Sequence, residues 1–242
     1  MRKTIFLIGT LAVLAACDKH DPILPGVRSD VFDAKSIRVL NEPVPNAPEN
    51  ITPKNIQDCP YTQKSDNTVW DDTRKIFSGF ATNNSVESDK APVCNGGFVY
   101  AGLTTGELVK INAKSRRIVW IADVYRQSNM MGGASILDIV APIQIDDGYV
   151  YAGGLGGAFC KISDASGKSA WCVDISVEKP FIITSGVAFV LDTDNNINAI
   201  RLRDGAVYWR APVEKSVAPE YQDKKIIVGR EKIDAETGEK IK

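Results

Sequence analysis

Few side chains in this sequence could do covalent or metal chemistry: one histidine and five cysteines, beside carboxylates spread along the chain. The single histidine, His20, lies three residues after Cys17, next to a processing site where nothing can hold it rigidly, so neither a histidine base nor a histidine-ligated metal has support. Cys17, Cys59, Cys94, Cys160 and Cys172 form no Cys-x-x-Cys pair, so the spacing of zinc and thioredoxin-type sites is missing. Gly153-Gly154-Leu155-Gly156-Gly157 has the glycine density of a phosphate-cradling loop, but it stands between two strand patterns with no helix to offer its N-terminus. It reads as a tight hairpin turn. Asp192-Thr193-Asp194-Asn195-Asn196 opens like a calcium loop, yet Ile197 stands where the turn glycine belongs and Arg203 where the bidentate glutamate belongs. Hydrolase chemistry lacks a base or a ligand set. These patterns assign no catalytic residue, no metal site and no cofactor.

The elements that carry these residues begin with a sorting segment. Arg2 and Lys3 precede an apolar run from Ile5 to Leu14, too short for a permanent bilayer helix. Leu14-Ala15-Ala16-Cys17 resembles a bacterial lipobox, in which the Cys17 sulfur receives a diacylglycerol and the peptide is cut before it. Buried acyl chains, at about 0.8 kcal/mol per CH₂, would then hold the protein on a membrane. Residues 1–16 read as a lipoprotein signal peptide. Residues 17–65 read as a lipidated tether, because seven of the twelve prolines fall between positions 18 and 60 with no sustained periodicity. The expected location is the periplasmic face of the outer membrane, although Asp18 after the lipidated cysteine resembles an inner-membrane retention signal of some enteric bacteria. The 29 Lys and Arg against 30 Asp and Glu are dispersed, which leaves no basic field for nucleic acid.

From position 66 onward the chain repeats itself. Phe98-Val99-Tyr100-Ala101-Gly102 matches Tyr149-Val150-Tyr151-Ala152-Gly153, and the same offset aligns Ile111 with Ile162, Trp120 with Trp171 and Asp123 with Asp174. A third copy aligns Tyr151 with Phe189 and Trp171 with Trp209, and a fourth runs from Ala218 to the end, stopping before a tryptophan. Each copy reads as four short strands with apolar and polar residues alternating and Gly, Asn and Asp at the turns. Tandem four-stranded units of this length predict an all-β fold, a β-propeller of about four blades occupying 66–242, with the tryptophans in the inter-blade core. Thr68-Val69-Trp70 is left over. It would either supply the missing outer strand of the last blade, closing a small ring, or belong to a half-ring that pairs with a second copy as a homodimer.

Four cysteines remain after export to an oxidising compartment, which predicts two disulfides. Asp164-Ala165-Ser166-Gly167-Lys168 fits a three-residue hairpin loop with Gly167 left-handed, and pairing Asp164 with Lys168 sets Cys160 opposite Cys172. Cys59 is then left to join Cys94.

Ile136-Leu137-Asp138-Ile139-Val140-Ala141-Pro142, Gly148-Tyr149-Val150-Tyr151-Ala152-Gly153, Phe189-Val190-Leu191 and Ile233-Asp234-Ala235-Glu236-Thr237-Gly238 resemble the quinoprotein-type propeller repeat. More narrowly they resemble the BamB-type lipoproteins of the outer-membrane β-barrel assembly machinery, a family of eight-bladed propellers, and Asp21 to Arg28 resembles that family as well. Quinoprotein dehydrogenases share the repeat, but they use an adjacent cysteine pair that this sequence lacks, so the resemblance implies a scaffold and not an enzyme. It also implies a partner, the periplasmic POTRA domains of the barrel insertase, contacted through two inter-blade loops. One carries two aspartates in the family, of which only Asp138 carries over here, beside Ile136 and Leu137. The other has a Leu-x-Leu-Arg pattern; this chain has Asn84-Ser85-Val86-Glu87, so Val86 and Glu87 stand there and the arginine is missing. Met130 and Met131, in the long connection from Tyr125 to Leu137, add an adaptable apolar contact surface.

Overall fold

The computed structural model describes residues 37–51, 59–82, 86, 90–124, 136–156 and 158–241. Among them every regular element is a strand. Three strands form the first sheet in chain order: β1 (Tyr61–Gln63), β2 (Thr68–Asp71) and β3 (Arg74–Ser78). The second sheet holds β4 (Val93–Asn95), β5 (Phe98–Gly102), β6 (Glu107–Asn112) and β7 (Ile118–Asp123). The third holds β8 (Gln144–Asp146), β9 (Tyr149–Gly154), β10 (Ala158–Ser163) and β11 (Ser169–Val173). In the fourth are β12 (Ile182–Thr184), β13 (Val187–Leu191), β14 (Asn196–Arg201) and β15 (Val207–Pro212). The fifth has β16 (Glu220–Gln222), β17 (Lys225–Val228), β18 (Glu231–Asp234) and β19 (Lys240–Ile241). Every neighbouring pair is antiparallel, because consecutive strands are joined by tight turns that no parallel crossover could span.

Both faces of the middle strands are apolar, so no sheet can satisfy itself. Val69, Phe77, Val99 and Val109 bury each other between the first and second sheets. Tyr100, Leu108, Trp120, Val150 and Cys160 do so between the second and third. Phe159, Val177, Ala188 and Ile200 fill the next interface, and Phe189, Trp209, Ile226 and Ile233 the last. This is the stacking of propeller blades, with four complete blades and one of three strands among the described residues. The indoles lie between blades: Trp120 donates its ring N–H to the carbonyl of Asp164 (2.8 Å), and Trp171 to that of Leu202 (3.0 Å).

Three expectations need correction. Thr68–Asp71 does not complete the last blade: it is the middle strand of its own sheet, between β1 and β3, and the fifth sheet takes its outer strand from Lys240–Ile241. Trp70, which the ring-closing alternative put on an outer strand, sits instead on the third-strand position of a blade and is paired with Lys75, the reverse of Lys110 paired with Trp120. The hairpin after β10 closes on Ser163 and not on Asp164, with the Ser163 N–H bonded to the carbonyl of Lys168 (2.8 Å). A bulge then makes Ala170 the extra residue, which restores Cys160 opposite Cys172. Gly167 is left-handed there, at φ 71°.

The tether reading also fails for residues 37–51. Val39 bridges Val207 in parallel fashion, Val44 donates its N–H to the carbonyl of Glu236 (2.7 Å), and Val44 and Ala47 are buried against the fourth and fifth sheets. Prolines break periodicity without preventing extended packing. The signal region, with Cys17 and Asp18, lies outside the described residues.

Candidate partner-binding site

Two connections matter: residues 79–92, from the first sheet to the second, and residues 124–143, from the second to the third. Asp138 lies in the latter and has no exposed surface. Its carboxylate oxygen Oδ2 accepts the backbone N–H of Val86 (3.0 Å), and Oδ1 forms an ion pair with the ammonium of Lys90. The backbone on either side is also held. The Ile139 N–H donates to the carbonyl of Leu103 (3.2 Å), and the Leu155 N–H to that of Asp138 (2.9 Å). One carboxylate thus pins two connections that are remote in sequence onto the same blade junction. Burial pushes the Lys90 ammonium down to about 8, while Asp138 opposes that shift by favouring the charged form.

Glycines make room for this junction. A Cβ on Gly102 would lie 2.5 Å from Ile139, and one on Gly156 would lie 2.5 Å from the Leu137 side chain. The glycine cluster around Leu155 therefore serves close approach of the 136–139 backbone. A cleft of about 140 Å³ lies beside it, lined by Gln63, Lys90, Gly102, Ile139 and Pro142. Gln63 bridges from the first sheet with a side-chain bond to the carbonyl of Gly102 (2.5 Å).

The expected contact residues divide accordingly. Ile136 is 42% exposed, Leu137 and Val86 are half-buried, and Asp138 faces inward, where it organises the site without presenting charge. Glu87, Met130 and Met131 lie outside the described residues. Lys90 was missed in the sequence. The available signal was Asp138 itself, a carboxylate flanked by aliphatic residues, which needs a buried cation. Disulfides join Cys59 to Cys94 and Cys160 to Cys172, the first tying the entry to β1 onto β4. The carboxylate of Asp192 is taken by Arg210 (2.6 Å), Asn198 (2.9 Å) and turn amides, so it organises the β13–β14 hairpin.

Comparison with known proteins fits this architecture. Among solved structures, BamB from Moraxella catarrhalis superposes with a TM-score of 0.55 at 18% identity, covering 70% of this chain and 54% of that one. Among curated proteins, the outer membrane protein assembly factor BamB of Kangiella koreensis is 21% identical over 134 residues, which is 55% of this chain and 34% of the relative. That of Moranella endobia is 21% identical over 125 residues, 52% of this chain and 32% of the relative. The chain therefore matches about a third of the length of these relatives. A family model described as outer membrane protein assembly factor BamB matches residues 49–211. With the stacked four-stranded blades and that match together, the chain belongs to the BamB family of outer membrane protein assembly factors.

Proposed function

We propose that this protein is a non-enzymatic, membrane-anchored scaffold in the assembly of outer-membrane β-barrel proteins. In this reading it binds the periplasmic POTRA domains of the barrel insertase through the blade junction around Asp138. One observation carries it: Asp138 draws the 79–92 and 124–143 connections together through Val86 and Lys90. These are the connections that family resemblance marks for partner contact. Ile136, Leu137 and Val86 supply an apolar contact patch at its surface, and Glu87, Met130 and Met131 are further contact residues that the family resemblance or the sequence proposes. Asp138 acts as the positioning residue. Lipid on Cys17 would hold the platform at the periplasmic face of the outer membrane. Membership of a family of assembly factors supports the scaffold role over a dehydrogenase role.

The test is recovery of the insertase on tagged protein from detergent-solubilised envelopes. Wild type should retain it and Ile136→Asp should lose it while remaining folded, since Ile136 is exposed. Recovery of a different envelope protein in its place, unaffected by Ile136→Asp, would overturn the reading.

A further inference from the structure

The outer strands β7 and β15 occupy the same place in their sheets. Each carries its indole, Trp120 or Trp209, into the interface with the following sheet. Aligning those indoles matches Ile118 with Val207, Val119 with Tyr208 and Arg117 with Ala206. In the fourth sheet the outer backbone edge is already taken by the chain itself, running parallel. The Val207 N–H donates to the carbonyl of Arg38 (3.0 Å), the Leu40 N–H to that of Val207 (2.8 Å) and the Glu42 N–H to that of Tyr208 (3.1 Å). Beneath this arm Val207 is 0% and Tyr208 8% exposed.

On β7 the matching Ile118 and Val119 are 51% and 46% exposed, and Ile121 is 46% exposed. No described segment pairs with the outer edge of β7. β11 supplies the contrast, because its matching residues are Ser169 and Ala170, suited to water. Natural edge strands are normally guarded by charge or proline, and β7 carries neither between Ile118 and Ala122.

We infer that the outer edge of β7 is a docking site for an extended segment of another polypeptide, added as a parallel fifth strand with an acidic side chain opposite Arg117. The register comes from β15, where Val39 pairs with Val207 and Arg38 therefore stands beside Ala206. An incoming strand in the same register sets its corresponding residue against Arg117, which is exposed and has no ion pair among the described residues. Two aliphatic residues follow, against Ile118 and Val119, and a basic residue further along faces the exposed Asp123. Main-chain hydrogen bonds would supply affinity and these side chains selectivity. The chain's own arm, carrying Arg38, is mismatched at β7 and is held on β15 by its hydrogen bonds and by the burial of Val44 and Ala47. This inference does not depend on the insertase reading, since its test uses a different strand and a different ligand.

The test titrates two peptides onto the folded, delipidated protein: one with the sequence of Ser36 to Val44 carrying Arg38→Glu, and the same peptide unaltered. Binding is read by fluorescence, and position by amide hydrogen-exchange protection over Ile118 to Ile121. The altered peptide should bind roughly tenfold more tightly. Arg117→Glu should reverse the order, and Val119→Lys should abolish binding with the melting temperature unchanged. Binding of neither peptide, equal binding of both, protection elsewhere, or an order unchanged by Arg117→Glu would overturn the inference. So would concentration-dependent self-association that protects β7 without peptide, which would assign the edge to a second copy.

Discussion

A Cβ placed on Gly167 would lie 2.8 Å from the indole of Trp120 in the neighbouring blade. The contact recurs between Gly205 and Trp171 (3.0 Å) and between Gly238 and Trp209 (2.6 Å), and all three glycines are left-handed. One residue type thus meets two demands, a positive φ and room for a flat ring. Gly167→Ala should destabilise the protein by about 3 kcal/mol, through backbone strain and overpacking. The matching position in the second blade is Arg116, at φ 57°, which faces no indole because Lys75 stands where the first blade would carry one. Arg116→Gly should therefore cost no more than about 1 kcal/mol, relief of strain offsetting added unfolded-state freedom and the loss of the partly exposed Arg116–Asp71 pair (3.3 Å). Chemical denaturation of both variants checks the contrast.

Asp138→Ala leaves the Lys90 ammonium buried without its counter-ion. A loss of about 3–5 kcal/mol is expected, whereas Asp138→Leu combined with Lys90→Met should recover most of it. Equilibrium unfolding in urea distinguishes the two outcomes, and a double variant as unstable as the single one would show that the pair does not act as a unit.

The same lysine gives a pH dependence. Its folded-state value of about 8 lies below the ordinary 10.5 of the unfolded chain, so between these two values the unfolded chain holds more protons. Stability contributed by this group therefore rises with pH across that window and is flat below it. The stability of wild type relative to Lys90→Met, measured from pH 7 to 10.5, should climb above pH 8.

Reduction should affect the two disulfides unequally. Cys59–Cys94 closes a separation of 35 residues and Cys160–Cys172 one of 12. Chain entropy predicts that Cys59→Ser with Cys94→Ser costs about 4 kcal/mol and the other pair about 3 kcal/mol. Thermal unfolding of the two double variants tests the order.

Much of the fold was legible because one residue type recurs where blades meet. Trp120, Trp171 and Trp209 mark the outer strands, and the glycines that receive them mark the next hairpins. Trp70 misleads for the same reason: it looks like another outer-strand indole, but its blade exchanges the positions of Trp and Lys across the bulged pair. Residues 37–51 were opaque because their apolar side chains, Val39, Leu40 and Val44, serve two different blade interfaces and share no period. The site was half-legible. Asp138 could be singled out by its place before an entry strand. That it faces inward depends on Lys90, which lies 48 residues away in sequence and was visible only once the blades were stacked.

The arm has a further consequence for how the molecule is made. Residue 39 pairs with residue 207 and residue 44 with residue 236, so this arm finds these backbone partners far later in the chain. During synthesis Val39, Leu40 and Val44 lack these partners until the fourth and fifth sheets have been made. A nascent chain halted before that point displays a sticky aliphatic strand that proteases and chaperones can recognise, and pairing with the fourth and fifth sheets conceals it.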